Sequence, residues 1–196
     1  MKNQDQQLML DFQNGDEKAF VQIVESYKNR VMSIAYRYLQ NKEAAEDLAQ
    51  EVFIKIYNAR ESYRAQSKLF TWIYRITVNT CLNELRSKKD DRELFDTYQI
   101  ADWNGESPGD SLEIARLEER IKKALEALPE RQRMAVILQK YEGHSYEEIG
   151  RLMNCSKEAV DSLIQRAKIT LKQELIDLIS TDGIQINKNE KKPKDF

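Results

Sequence analysis

The sequence is poor in the residues that build metal sites and His-dependent catalysis. Histidine occurs once, as His144, and cysteine twice, as Cys81 and Cys155. A structural zinc site takes four Cys or His ligands. Three such residues, far apart and without a CxxC pair, do not supply one. Free thiols and cytosolic residence are the plain reading of so little cysteine. The lone imidazole sits in a loop before a helix cap, with no nucleophile pairing suggested. The acidic runs lack the glycine that a calcium loop needs. No enzyme activity, metal, cofactor or small-molecule substrate is therefore expected. Only 3 prolines and 6 glycines occur in 196 residues, which leaves long helices and few tight turns. No apolar run approaches the roughly 18 residues of a membrane span. The first residues, "MKNQDQQLML", lack the apolar core of a signal peptide, so a cytoplasmic chain that is not itself a membrane protein is expected. Excess charge is missing too: 31 Lys and Arg stand against 33 Asp and Glu, for a net charge of −2. Any contact with nucleic acid must then rest on local basic patches.

What is present is helical periodicity. Apolar residues make up 41% of the chain and charged residues 33%, enough for a core and a soluble surface. Residues 5–86 repeat apolar positions at spacings of three and four, as in Phe12, Phe20, Ile23, Val24, Tyr27, Val31, Ile34, Ala35 and Tyr38. Asn14 and Gly15 form a break and Asp16 a cap. Further helices are expected over 42–59 and 68–86. The period fails from Ser87 to Ser111, a stretch rich in Asp and Glu that contains "SPG". It reads as a linker. Periodicity returns at Leu112 with Ile114, Leu117, Ile121, Ala124, Leu125 and Leu128. Pro129 stops that helix, "RMAVILQKY" is apolar enough to be a central buried helix, and Gly143 ends it. The fold class expected is all-α: two small helical domains, 5–88 and 112–178, joined by a flexible acidic linker at 89–111 and followed by a polar tail at 179–196.

The second domain carries a helix-turn-helix pattern between Tyr146 and Gln165. Ser145 and Glu148 fit a capping box, Asn154 suits a left-handed turn, and Ser156 caps the next helix. Val160, Ile164, Ala167 and Leu171 form the buried stripe of that helix. Its other face offers Lys157, Ser162, Gln165, Arg166 and Lys168, types that donate to phosphates and base edges. A plain helical hairpin with a solvated face fits this segment alone equally well.

The first domain has two faces of opposite sign. In "AAEDLAQEVFIKIY" apolar pairs build one buried side, and Glu43, Glu46, Asp47, Gln50 and Glu51 line the other. From Arg60 to Lys89 cations predominate and aromatics are interleaved among them. Basic groups beside aromatic platforms suit single-stranded nucleic acid. The alternative is that Trp72 and Tyr74 are core, and for Trp72 that is the expected reading.

Taken together, "AEDLAQEVF", "TWIYRI" and "LPERQR...SYEEIG" resemble bacterial sigma factors of the extracytoplasmic-function (ECF) group. The resemblance covers roughly residues 10–88 and 112–176, in that family's order, without the middle domain of larger sigma factors. It implies a non-enzymatic specificity subunit that binds core RNA polymerase and promoter DNA. By resemblance, Asp47, Gln50, Glu51, Phe53 and Ile54 face the polymerase core, where complementary charge guides docking. Arg60, Arg64, Lys68, Phe70, Trp72, Arg75 and Asn79 serve the −10 element, opening it and holding a flipped base. Ser145, Lys157, Glu158, Ser162, Gln165 and Arg166 serve the −35 element. The recognition helix departs from many family members: Ala159 stands for a Thr, Asp161 for a Lys and Leu163 for an Arg. Asp161 repels phosphate and Leu163 cannot donate, so contacts shift to Lys157, Ser162, Gln165 and Arg166. The family also implies an anti-sigma factor that covers the 47–60 face, the recognition helix or both. The acidic linker is expected to compete for the basic faces of the free protein. A free-standing helix-turn-helix regulator is the competing reading, and it leaves "AEDLAQEVF" and "TWIYRI" unexplained.

Overall fold

Caps written into the sequence set the helix boundaries. The structure, a computed structural model, describes residues 4–65, 68–92 and 112–176. Within them run α1 (Gln4–Gln13), α2 (Glu17–Leu39), α3 (Lys42–Asn58), a 3-10 turn (Arg60–Ser62), α4 (Leu69–Arg92), α5 (Leu112–Glu126), α6 (Glu130–Lys140), α7 (Tyr146–Met153) and α8 (Lys157–Glu174), with no strand among the described residues. Gly15 takes φ +98° and Asp16 accepts from the Lys18 amide at 2.9 Å, so α2 starts where the break was expected. Asn41 does the same for α3 through the Ala44 amide at 2.8 Å. Gln40, in the left-handed region at φ 56°, closes α2 in place of the usual glycine. The linker and the polar tail expected from sequence lie outside the described residues, except where α4 continues past Arg86 to Arg92. "SKKDDR" contains no helix breaker. An apolar-period test is blind to a helical extension that buries nothing.

The core of the first unit is the meeting of three stripes. Ile23, Val31, Ile34 and Ala35 of α2, Ala45, Val52 and Ile56 of α3, and Ile73, Val78 and Cys81 of α4 are all at 0% exposure. Each large aliphatic among them contributes about 1.5–3 kcal/mol through burial. In the second unit α6 is buried nearly all round, as the run "RMAVILQKY" demanded: Met134, Ala135, Ile137 and Leu138 are fully enclosed. Pro129 caps α6, and Gly143 at φ +70° lets the His144 amide turn back to the Leu138 carbonyl at 3.0 Å.

The two units dock against one another, an arrangement the sequence left open. Helices α2 and α4 meet α6, and α4 meets α7. Arg133 of α6 donates to the Tyr38 carbonyl at 2.9 Å, and Arg37 lies over the Tyr141 ring at 4.6 Å. The Phe70 and Tyr74 rings of α4 pack against His144 at 5.5 and 5.4 Å.

Candidate partner and nucleic-acid surfaces

Helix α3 is built to be buried on one side and bare on the other. Ala45, Leu48, Ala49, Val52 and Ile56 face the core. Asp47, Gln50, Glu51 and Ile54, at i, i+3, i+4 and i+7, form one exposed stripe. Ile54 is 60% exposed at the C-terminal end of this polar ridge. Glu51 is tied to Lys55 at 2.6 Å on the same helix. Phe53 is half-buried and packs on the core, so only its edge faces outward.

The basic segment divides into free and engaged residues. Arg64, Lys68, Arg75 and Asn79 are exposed. Arg64 also folds back onto the Glu61 carbonyl at 2.6 Å. Arg60 is engaged in packing: its guanidinium stacks on Phe12 and Tyr57 at 5.5 and 5.0 Å and donates to the Tyr57 carbonyl at 3.2 Å. Trp72 takes the core reading and not the platform one. It is 6% exposed with its ring edge-on to Tyr63 at 5.5 Å, and in this structure it offers no face for a base. The reason is position: Trp72 lies beside Leu69, Ile73 and Tyr74 on the inward side of α4, and burial of so large a ring outweighs exposure. Phe70 is half-buried, tilted against Tyr74 at 4.0 Å, and touched by His144 of the second unit at 5.5 Å.

The helix-turn-helix has the geometry that its sequence announced. Ser145 and Glu148 form a reciprocal capping box, which holds the Glu148 carboxyl below its usual range. Asn154 sits at φ 51°, and the Ala159 amide donates to Ser156 at 3.2 Å. Val160, Ile164 and Ala167 are buried, with Leu171 half-buried beside them. Lys157, Glu158, Asp161, Ser162, Gln165, Arg166 and Lys168 are exposed. Lys157 is not a free cation. Glu147 of α7 binds it at 2.6 Å, which lowers the carboxyl and raises the ammonium pKa. Sequence reasoning missed Glu147, because a charge on the first helix does not announce which residue of the second it meets. It also missed Gly150. A Cβ there would stand 2.7 Å from the Cys155 carbonyl oxygen, so the backbone of the turn closes against α7 where no side chain fits. A lone glycine inside a helical pattern was the available signal. His144 is buried, and loss of water holds its imidazole below the usual value against the pull of Glu148 and Glu142.

Comparison with known proteins gives concordant matches. A family model described as Sigma-70 region 2 matches residues 23–90, and one described as Sigma-70, region 4 matches residues 118–171. The ECF RNA polymerase sigma-E factor of Escherichia coli is 37% identical over 184 residues, covering 89% of this chain and 96% of the relative. The RNA polymerase sigma-H factor of Pseudomonas aeruginosa is 33% identical over 189 residues, covering 91% and 97%. Among solved structures, CnrH in complex with the cytosolic domain of CnrY matches with a TM-score of 0.65 at 21% identity, over 90% of this chain and 99% of that one. The sigma factor RpoE in complex with the anti-sigma factor NepR from Bartonella quintana matches with a TM-score of 0.66 at 24% identity, over 81% and 98%. These two structures share the fold.

Proposed function

The chain belongs to the sigma-70 family, in its extracytoplasmic-function group, and from that premise we propose which of its surfaces carry out promoter-directed initiation. It is a non-enzymatic subunit that binds core RNA polymerase and directs it to a specific set of promoters. The first unit, 5–88, docks on core through the α3 stripe of Asp47, Gln50, Glu51 and Ile54, with the edge of Phe53 beside it. Its exposed Arg64, Lys68, Arg75 and Asn79 follow the melted −10 strand. Phe70 joins them once the second unit leaves it. The second unit, 112–178, reads the −35 element through α8. The work takes place in the cytoplasm, where an anti-sigma factor that covers the α3 stripe, α8 or both would hold the chain inactive. The structural neighbour RpoE, solved in complex with the anti-sigma factor NepR, favours a partner of that kind.

The observation that carries this reading is Ile54. A β-branched apolar side chain, 60% exposed on a ridge of carboxylates and amides, costs hydration and contributes nothing to the fold. It fits a partner interface bordered by polar groups. The test is run-off transcription from a promoter library with purified core polymerase, with and without this chain, comparing wild type with Gln50→Ala/Glu51→Ala. Initiation at a defined promoter set, lost in the double variant together with core binding, supports the assignment. If core ignores the chain while duplex DNA alone binds it specifically, the chain acts as a free-standing regulator.

A further inference from the structure

Three acids lie along the outer side of the helix-turn-helix, and two of them are accounted for inside the protein. Glu147 neutralises Lys157 at 2.6 Å. Glu158 sits in the first turn of α8, where its own backbone amide and the Ser156 hydroxyl hold it ionised. Asp161 differs from both. It is exposed in the second turn and makes no ion pair among the described residues. Its contact is the side-chain amide of Gln165, whose Nε2 donates to Oδ1 at 3.4 Å. That bond orients the amide as well as the carboxylate. With the NH2 group turned toward Asp161, the Gln165 carbonyl oxygen points away from it. The middle of the reading face therefore presents two neighbouring acceptors, flanked by the Ser162 hydroxyl and the Arg166 guanidinium.

Acceptors on a recognition helix select donors in the major groove. Cytosine offers its N4 amino group there, and adenine offers N6 beside the N7 acceptor. Guanine shows only the N7 and O6 acceptors, and thymine an acceptor and a methyl group. A carboxylate is repelled by O6 or O4, is half-satisfied by adenine, and is matched by cytosine. We propose that Asp161 is a specificity-determining residue of this chain, accepting from the N4 amino group of a cytosine in the −35 element, with Gln165 reading the neighbouring base. The proposal rests on the assignment of α8 as the −35 reader. It gives Asp161 a positive role where the sequence suggested only repulsion of phosphate. Arg166 and Lys168 supply the attraction to the backbone that Asp161 does not.

The experiment uses holoenzyme reconstituted from core polymerase and the full chain. Initiation is measured on a library with the −10 element fixed and the −35 element randomised, for wild type, Asp161→Ala and Asp161→Asn. Asp161 is exposed, so both variants keep the fold. The wild type is expected to prefer cytosine over guanine or thymine at one position by about tenfold. Asp161→Ala should flatten that position and weaken the preference at the neighbouring one, where Gln165 loses its orienting partner, leaving core affinity and the remaining preferences in place. Asp161→Asn should move it toward adenine, which asparagine reads through N6 and N7. A uniform rise in initiation on every sequence with Asp161→Ala would reduce the residue to a repulsive charge and overturn the proposal. So would a cytosine preference that survives the substitution. Failure of wild type to initiate anywhere would overturn the sigma assignment and this inference with it. Initiation without an Asp161-dependent base preference overturns the inference alone.

Discussion

The Tyr74 hydroxyl donates to the Glu142 carboxylate at 2.8 Å, joining α4 of the first unit to the turn before α7 of the second. Beside this bond, His144 packs against both the Phe70 and Tyr74 rings, which touch one another. A compact chain of this length is about 40 Å across. Two promoter elements centred about 25 base pairs apart are separated by about 85 Å of straight duplex. If the two units read the −10 and −35 elements as proposed, the docked pose cannot touch both, and the Tyr74–Glu142 contact then has to open on promoter binding. Tyr74→Phe keeps the buried ring and removes the donor. A hydrogen bond to a charged acceptor contributes about 1.5–3 kcal/mol, and a half-buried one falls at the low end. Distances between labels on α3 and α8 should lengthen and broaden in the variant. An unchanged distribution would mean that apolar packing alone holds the units together.

Acid should loosen the same contact. Burial disfavours the charged imidazole of His144, while Glu148, with Oε2 3.8 Å from Nδ1, and Glu142 favour it; the net direction is down. A base whose pKa is lowered in the docked state binds more protons when released. Docking is therefore at full strength above the ordinary imidazole value near 6.5. It weakens as pH falls through that value and levels off below the lowered one. The label distance followed from pH 8 to pH 5 should grow in wild type and stay flat in His144→Leu. Tighter docking at low pH would show that the two carboxylates outweigh burial.

Gly150 and Gly143 make a matched pair of tests. A Cβ at Gly150 would lie 2.7 Å from the Cys155 backbone oxygen, and the turn cannot move without unseating Asn154 at φ 51°. Gly150→Ala should cost about 1–3 kcal/mol, as overpacking does. Gly143 has φ +70° but open space around it, so Gly143→Ala pays only the left-handed penalty of about 1 kcal/mol. Thermal denaturation should rank Gly150→Ala below Gly143→Ala. Equal melting temperatures would remove the argument from close backbone approach.

Much of this architecture was legible in the chain. Asp16, Ser145 with Glu148, Asn154 and Ser156 act within a few residues of themselves, so their sequence context is their physical context. The stripes of α2, α3 and α8 follow from period alone. What escaped was whatever depends on a partner far along the chain. Arg60 looks like a phosphate donor until Phe12 and Tyr57 are found beneath it, and Phe70 like a free ring until His144 is found against it. The α3 stripe was read correctly as exposed because exposure, like burial, repeats with the helix. Its role still had to come from resemblance.

Ile54 separates stability from partner binding. Its side chain contacts little of its own protein, so Ile54→Asp should change stability by no more than about 0.5 kcal/mol. Within an interface, the loss of an apolar anchor together with a buried charge costs about 2 kcal/mol or more. The variant should therefore melt with wild type and bind core polymerase at least about tenfold more weakly. Undiminished affinity would move the docking surface off the α3 stripe.

Arg131 and Arg133 look alike in "LPERQR" and should behave differently. Arg131 is exposed and donates once, to the Met153 carbonyl at 3.2 Å. Arg133 is 9% exposed and donates to the Tyr38 carbonyl at 2.9 Å and the Glu126 carbonyl at 2.8 Å. Those carbonyls lie at the C-terminal ends of α2 and α5, where unpaired acceptors and the helix dipoles both favour a cation. One guanidinium thus closes two helix ends and links the two units. Arg133→Met keeps the volume and leaves the two carbonyls without this donor, at a cost of about 2–4 kcal/mol by the usual penalty for stranded buried acceptors. Arg133→Lys restores the charge but not the planar fork, and should recover only part of that. Arg131→Met should cost less than about 1 kcal/mol. Urea denaturation of the four proteins should therefore order them wild type, Arg131→Met, Arg133→Lys, Arg133→Met. Equal midpoints for the two Met variants would mean that Arg133's bonds to the helix ends add nothing beyond what an exposed arginine adds.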